Sequence, residues 1–337
     1  MEITAQGACF WMGGRLASEL SEISHDPLAL EREGFWAVQI DYEGRWTLAK
    51  FDSIDVADFP RTEWTAISDS WSSTHSREQY IDYVSQIREA IADGVVYQAN
   101  ACRVLSAPCN QPLSGLFSKI LVENPAPYAA YFRASDVEIA SASPELFLKI
   151  SSSEDGIYVK SSPIKGTSKS SEFGEKDQSE NVMIVDLIRN DLSRICEDGS
   201  VDVSRLLGVE RHPGLFHLVS DVVGKLRRDF SWSDFSEGLL PAGSISGAPK
   251  SSALKIIAAH EESRGPYCGI LGWIERRNGV VSGELSVGIR LFWLDDDHIH
   301  FGTGAGITWG SDPVAEWDET ELKSNRLIAI ASGEDVK

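Results

Sequence analysis

Two apolar-rich runs, Tyr267 to Arg277 and Val280 to Leu294, are separated only by Asn278-Gly279. Asn-Gly readily adopts the two left-handed conformations of a tight type I′ turn, so the pair predicts a β-hairpin. In the second run Val281, Gly283, Leu285, Val287, Ile289 and Leu291 alternate with Glu284, Ser286, Gly288 and Arg290. A period of two puts the first set on one face of a strand and the second set on the other. This part of the chain is thereby committed to an antiparallel sheet.

The same signals recur. Residues 35–51 read as two strands around Glu43-Gly44, residues 127–161 hold several short strands, and 215–226 and 298–306 read as further strands. "VVYQANACRVLSA" is strand-like in its β-branched and aromatic content. Helices are expected between them. Ser76 with Gln79 forms a capping box, Ile81, Val84, Ile87 and Ile91 form one stripe, and Gly94 fits the C-terminal stop. Residues 177–196 and 251–264 look helical, and Asp312 with Pro313 opens a last helix. Hairpin-linked strands with inserted helices indicate an α+β fold with antiparallel sheets. There is no βαβ alternation with G-x-G-x-x-G, which argues against a dinucleotide fold. The polar stretch 68–76 suggests a strand-rich segment 1–74 packed on a catalytic domain 75–335.

The formal charge of −20 over 337 residues argues against a nucleic-acid partner, since a phosphate backbone needs a Lys/Arg surface. A small anionic substrate is still allowed, provided local side chains or a metal supply positive charge. The five dispersed cysteines show no C-x-x-C and read as free thiols in a reducing compartment. No signal peptide and no apolar run of about 18 residues is evident, so no membrane association and a cytoplasmic location are expected.

Carboxylates recur at helical spacing. Asp177 and Glu180 are three apart, and Glu316, Glu319 and Lys323 share one face of the last helix. They fit either solvated faces or, if the two helices converge, the oxygen ligands of a hard cation such as Mg²⁺. "GSISGAPK" and "FGTGAGI" fit either plain turns or backbone N–H groups brought close to an anion. Arg290, His217 and Glu145 are each, judged alone, a surface ion pair, a core histidine and a turn acid. Lys165 is odder: a long cationic chain in the Pro-Ile-Lys-Gly-Thr turn, 163–167.

In order along the chain stand "GVVYQAN" (94–100), "SASPELF" (141–147), "PIKGT" (163–167), "ENVMIVDLIRND" (180–191), "HLVS" (217–220), "GSISGAPK" (243–250), "YCGILGW" (267–273), "GIR" (288–290), "GTGAGI" (302–307) and "EWDET" (316–320). Together, over about residues 75 to 330, they resemble the chorismate-utilising family, the component I subunits of anthranilate synthase and aminodeoxychorismate synthase. The resemblance implies a layered sandwich of two large antiparallel sheets flanked by helices. It implies Mg²⁺ as cofactor, held by Glu180 and Glu319 with Glu316 and Asp177 in support. It places Arg290, Lys323 and Tyr267 at the substrate carboxylates, with the backbone of Gly304, Ala305 and Gly306 alongside, and His217 near the ring hydroxyl. Ser246 stands where the family usually has threonine; it keeps the hydroxyl and loses a methyl. Ala242 and Glu284 also replace the more usual glycine and aspartate.

Two positions separate the family's members. Those that add water to chorismate have a lysine as general base where this chain has Gln98, and glutamine cannot take a proton from water. Anthranilate synthases typically have alanine where this chain has Lys165; aminodeoxychorismate synthases typically have lysine. The pair implies amination of chorismate at C4 by ammonia to give 4-amino-4-deoxychorismate, through a covalent Lys165 adduct, with Glu145 protonating the departing hydroxyl. Such a product would supply 4-aminobenzoate for folate or a secondary metabolite. The alternatives are anthranilate synthase component I or a non-catalytic chorismate-binding subunit. No Cys-His glutaminase module is identifiable, so a separate glutamine amidotransferase is the expected partner.

Overall fold

The computed structural model describes residues 7–168, 170–212 and 215–334. Its strands are β1 Cys9–Met12, β2 Arg15–Ser24, β3 Gly34–Ile40, β4 Trp46–Val56, β5 Ser72–Ser73, β6 Gln98–Pro108, β7 Tyr128–Ala134, β8 Val137–Ser143, β9 Leu146–Ser153, β10 Gly156–Ser162, β11 Ile164–Ser168, β12 Asp202–His212, β13 Leu215–Lys225, β14 Gly247–Ala248, β15 Ile270–Arg277, β16 Val280–Val287, β17 Leu291–Asp295 and β18 His298–Ile307. The helices are α1 Arg77–Ala92, α2 Ser114–Glu123, α3 Glu175–Ser193, α4 Trp232–Leu239, the short α5 Gly243–Ser246, α6 Lys250–His260 and α7 Pro313–Ser332.

Every named strand pairing is antiparallel, and the ladders join into one continuous path. One wing runs β5–β6–β18–β17–β8–β7–β1. The β1–β2 hairpin, turning at Gly13-Gly14, leads into the second wing, β2–β4–β3–β15–β16–β9–β10–β13–β12, with β11 beside β13. Phe10, Ala130, Phe132 and Ile139 of the first wing share one buried apolar cluster with Phe35, Trp36, Ile40, Leu148, Ile274 and Leu285 of the second. That shared core makes the two wings a sandwich, as the resemblance implied. Residues 9–56 thus enter the sheet as strands paired with β7 and β15.

Local signals set most boundaries. Ser76 and Gln79 form the expected capping box on α1, and Gly94 follows its C-terminus at φ +73°. The buried face of α1 is nevertheless built from Tyr80, Tyr83, Val84 and Ile87, with Ile81 and Ile91 only partly buried. Asp312 caps α7, accepting the N–H groups of Val314 and Ala315. All five cysteines are buried and free. Among the described residues no helix is long and apolar enough to cross a membrane.

Two further sequence expectations differ from the structure. The run after the hairpin is two strands, β16 on β9 and β17 on β8. Between them the Gly288 N–H turns away to the Gly269 carbonyl at 2.7 Å, and Arg290 takes a left-handed φ of +55°. The strict alternation therefore stops at Val287. The helix expected over 251–264 ends at His260, because Glu261 and Arg264 leave solvent to form a buried ion pair at 2.6 Å. Arg264 also donates to the Ile245 and Asn100 carbonyls, and Glu261 accepts from the Cys102 N–H and the Tyr83 hydroxyl. One pair thus ties α1, β6, α6 and the α5 loop.

Removing one member of such a pair leaves an uncompensated buried charge. Arg264→Met is expected to cost about 3–5 kcal/mol in denaturant unfolding. An unchanged midpoint would mean the pair does not hold these elements together.

Candidate active site

Lys165 stands where β11 departs from regular pairing. Ile164 lies opposite Val219 and Thr167 opposite His217, so three steps on β11 match two on β13. The extra residue makes a β-bulge, which re-aims the side chain it carries. Gly166 supplies the left-handed φ of +84° this requires, and its Cα lies against Phe173 and Asp177, where an added Cβ would come within 3.0–3.1 Å. The pairing with Thr167 also sets His217, partly buried, beside the lysine turn.

Four charged groups from three other elements act on the Lys165 amine. Burial pushes its pKa below the ordinary lysine value; Glu145 opposes that shift, Lys323 adds to it, and Glu180 and Glu319 oppose it. Glu145 is buried between β8 and β9. Its N–H donates to the Ser143 hydroxyl and its carbonyl accepts the Val287 N–H at 3.1 Å. Burial pushes the Glu145 carboxyl up to about 7, although Lys165 and a hydrogen bond from Ser244 pull the other way. A cavity of about 20 Å³, room for about one water molecule, adjoins Glu145 and Ser244.

Helix α3 brings Glu180 to this place, and it is fastened from behind. The buried amide of Asn181 donates to the Leu218 carbonyl and accepts from the Ser220 hydroxyl, joining α3 to β13. Helix α7 brings Glu319 and Lys323, which pair at 2.6 Å; Lys323 Nζ also donates to the Gly304 carbonyl at 3.0 Å. Glu316 is buried on α7 within electrostatic reach of Tyr80. Asp177 accepts the Gly174 N–H at the start of α3. As the side chains lie, no three His, Cys, Asp or Glu residues among those described are grouped closely enough to hold a metal ion. Glu180 and Glu319 nevertheless face one lysine from two helices and offer hard carboxylate oxygens, the donor type suited to Mg²⁺.

Arg290 and Tyr267 form a second group. Burial lowers the Arg290 pKa and the Tyr267 oxygen partly offsets it. The Tyr267 ring lies directly on Gly302, where an added Cβ would fall 2.0 Å from the ring; only glycine leaves room for it. Among the described residues no carboxylate pairs with the Arg290 guanidinium, which leaves it suited to an external one.

The third group is Gln98, Ala305 and Gly306. Gln98 is buried at the start of β6, where its amide approaches Asn100 Oδ1 at 3.5 Å and lies against Gly306. Asn100 holds the α5 loop through the Ser244 carbonyl, so Ser244 links this group to Glu145. Ser246 is fully buried and donates back to the Ala242 carbonyl. Sequence reasoning missed Arg264, Glu261, Asn100, Asn181 and Ser244, which position the site. Asn100, Asn181 and Ser244 lie inside the quoted motifs, but their hydrogen bonds, like those of Arg264 and Glu261, run between distant segments that local sequence does not show.

The sequence pattern of the chorismate binding enzyme family matches residues 36–329, beginning well before residue 75. Anthranilate synthase component 1 of Streptomyces coelicolor is 35% identical over 273 residues, 77% of this chain and 52% of that protein. Aminodeoxychorismate synthase component 1 of Escherichia coli is 32% identical over 343 residues, 94% of this chain and 74% of that protein. The chain thus spans about half the length of the anthranilate synthases it matches. Anthranilate synthase component I from Streptococcus pneumoniae shares the fold at a TM-score of 0.76 and 22% identity, covering 97% of this chain and 94% of that one. A putative isochorismate synthase, DhbC, from Bacillus anthracis does so at 0.78 and 20%, covering 98% and 97%. With a family match over most of its length and relatives above 30% identity, the chain belongs to the chorismate binding enzymes.

Proposed function

We propose that this chain aminates chorismate at C4 to give 4-amino-4-deoxychorismate, with Lys165 as a covalent nucleophile. The observation that carries the reading is the Lys165 amine on its bulge, with its charge disfavoured by burial and Glu145 within reach. A neutral amine is a nucleophile and an ammonium is not. The Lys165 nitrogen attacks C2 of the ring as the C4–O bond breaks, and Glu145 donates its proton to the departing hydroxyl, which leaves as water. Ammonia then forms the new bond at C4, and the Lys165 nitrogen leaves C2. Nitrogen therefore arrives at C4. Direct attack of ammonia on C2, the course toward anthranilate, would need no lysine here.

Other residues bind and orient. Arg290, Tyr267 and Lys323, with the backbone of Gly304, Ala305 and Gly306, hold the two carboxylates, and His217 lies near the ring hydroxyl. Ser246 stiffens the loop bearing Ser244. Gln98 fills the place of a water-activating base without being able to act as one. Glu180 and Glu319, supported by Glu316 and Asp177, would hold Mg²⁺, which when bound would neutralise a substrate carboxylate. A separate glutamine amidotransferase would supply ammonia. The family match and the Escherichia coli relative support this reading.

Purified chain, chorismate, Mg²⁺ and an ammonium salt should yield the 4-amino product by NMR. Anthranilate as the product would overturn the assignment.

Glu145 also makes a pH prediction. Its folded pKa lies above its ordinary value, so the acid form is present below about 7 and is lost as pH rises through it. Folding stability from this group likewise falls with rising pH up to about 7. Turnover should decline on the alkaline side around that pH. Glu145→Gln should lower the rate by roughly 10²-fold and remove that limb; a limb that persists in the variant would exclude Glu145 as the acid.

A further inference from the structure

A second cavity, of about 370 Å³, opens at the far end of the strands that carry the site. Strand β13 bears His217 near its start and ends at Lys225, about 26 Å away at ~3.3 Å per residue. The walls are formed by Ile150, Ile157, Leu226, Phe230, Trp232 and Val281, an apolar floor with two aromatic rings. Lys225, Arg227, Arg228 and Arg276 line it against Glu31, Asp155 and Glu197. In a chain of net charge −20, four cations facing three acids is an unusual local balance.

The acids are already engaged. Glu31 accepts from the Ser231 hydroxyl, Asp155 from Ser153 and Tyr158, and Glu197 pairs with Lys225 at 3.5 Å. Arg227 is paired with Asp229 and Asp234. Among the described residues Arg228 and Arg276 have no acidic partner, and Arg276 Nε is buried with no hydrogen-bond acceptor at all. Both arginines line the cavity without an acid to neutralise them, and an anion bound there would do so.

We propose that this cavity is a binding site for a small organic anion, a carboxylate or phosphate carrying an apolar ring. Arg276 and Arg228 would take the anionic group, and Phe230, Trp232 and the aliphatic floor the ring. Inorganic ions lack the apolar part, and neutral ring compounds lack the charge; each satisfies only half of the walls.

Calorimetry on the whole chain tests this with four probes, the Arg276 and Arg228 variants separating this cavity from the substrate site. Benzoate or phenyl phosphate, or both, should bind, and which of them does separates the carboxylate from the phosphate form. Inorganic phosphate and benzyl alcohol should bind at least about tenfold more weakly. Arg276→Gln and the exposed Arg228→Glu should each weaken the ring-bearing anion by about tenfold or more, without changing chorismate turnover. Should Arg276→Gln fail to fold, Arg228→Glu carries the test. No saturable binding of either ring-bearing anion, or unaltered affinity in Arg228→Glu, would overturn the proposal.

Discussion

Burial disfavours the charge on Lys165 while Glu145, Glu180 and Glu319 favour it, and this opposition needs four separate segments to meet. A lysine in open solvent has a pKa of about 10.4 and is almost wholly protonated at neutral pH. A lysine facing only acids would be more firmly protonated still. Here Lys323 pushes in the same direction as burial, and Glu145 is itself pushed up to about 7. Burial thus disfavours the charge on both groups, and a proton on the acid rather than on the amine is the arrangement C4 amination requires.

The fold spends its long-range interactions on keeping those segments in place. The bulge aims Lys165, Asn181 and Ser220 fasten α3 to β13, and Lys323 is anchored by the Gly304 carbonyl. Arg264 and Glu261, their side chains buried together, connect the loop bearing Ser244 to β6 and α1. A buried ion pair of this sort is weak evidence for net stability, but breaking one partner is costly, which makes the arrangement hard to distort.

Much of this was legible in the chain. The Asn278-Gly279 hairpin, the Ser76–Gln79 box and the Asp312-Pro313 start are local signals, read by residues within four positions of one another, and each is present in the structure. The candidate residues came from motif order, and the structure sets Lys165, Glu145, Glu180, Glu319 and Lys323 around one point. What local patterning could not show was imposed by distant partners. The strand run breaks at Gly288 because residues 268–269 compete for its backbone, and α6 stops early because Arg264 has carbonyls to satisfy on β6 and α5. Tyr80 and Tyr83 outrank Ile81 and Ile91 on α1 because Trp317 packs edge-on against Tyr80 and His260 stacks on Tyr83.

The central claim is that one amine forms and then releases a bond to the substrate ring. The most direct measurement is peptide mapping by mass spectrometry after the chain is mixed with chorismate and Mg²⁺ in the absence of ammonia. The account predicts a substrate-derived mass on the peptide containing Lys165, lost on adding ammonium and never seen in Lys165→Ala. An adduct that forms equally on the Lys165→Ala chain, or C4 amination proceeding undiminished in that variant, would contradict it.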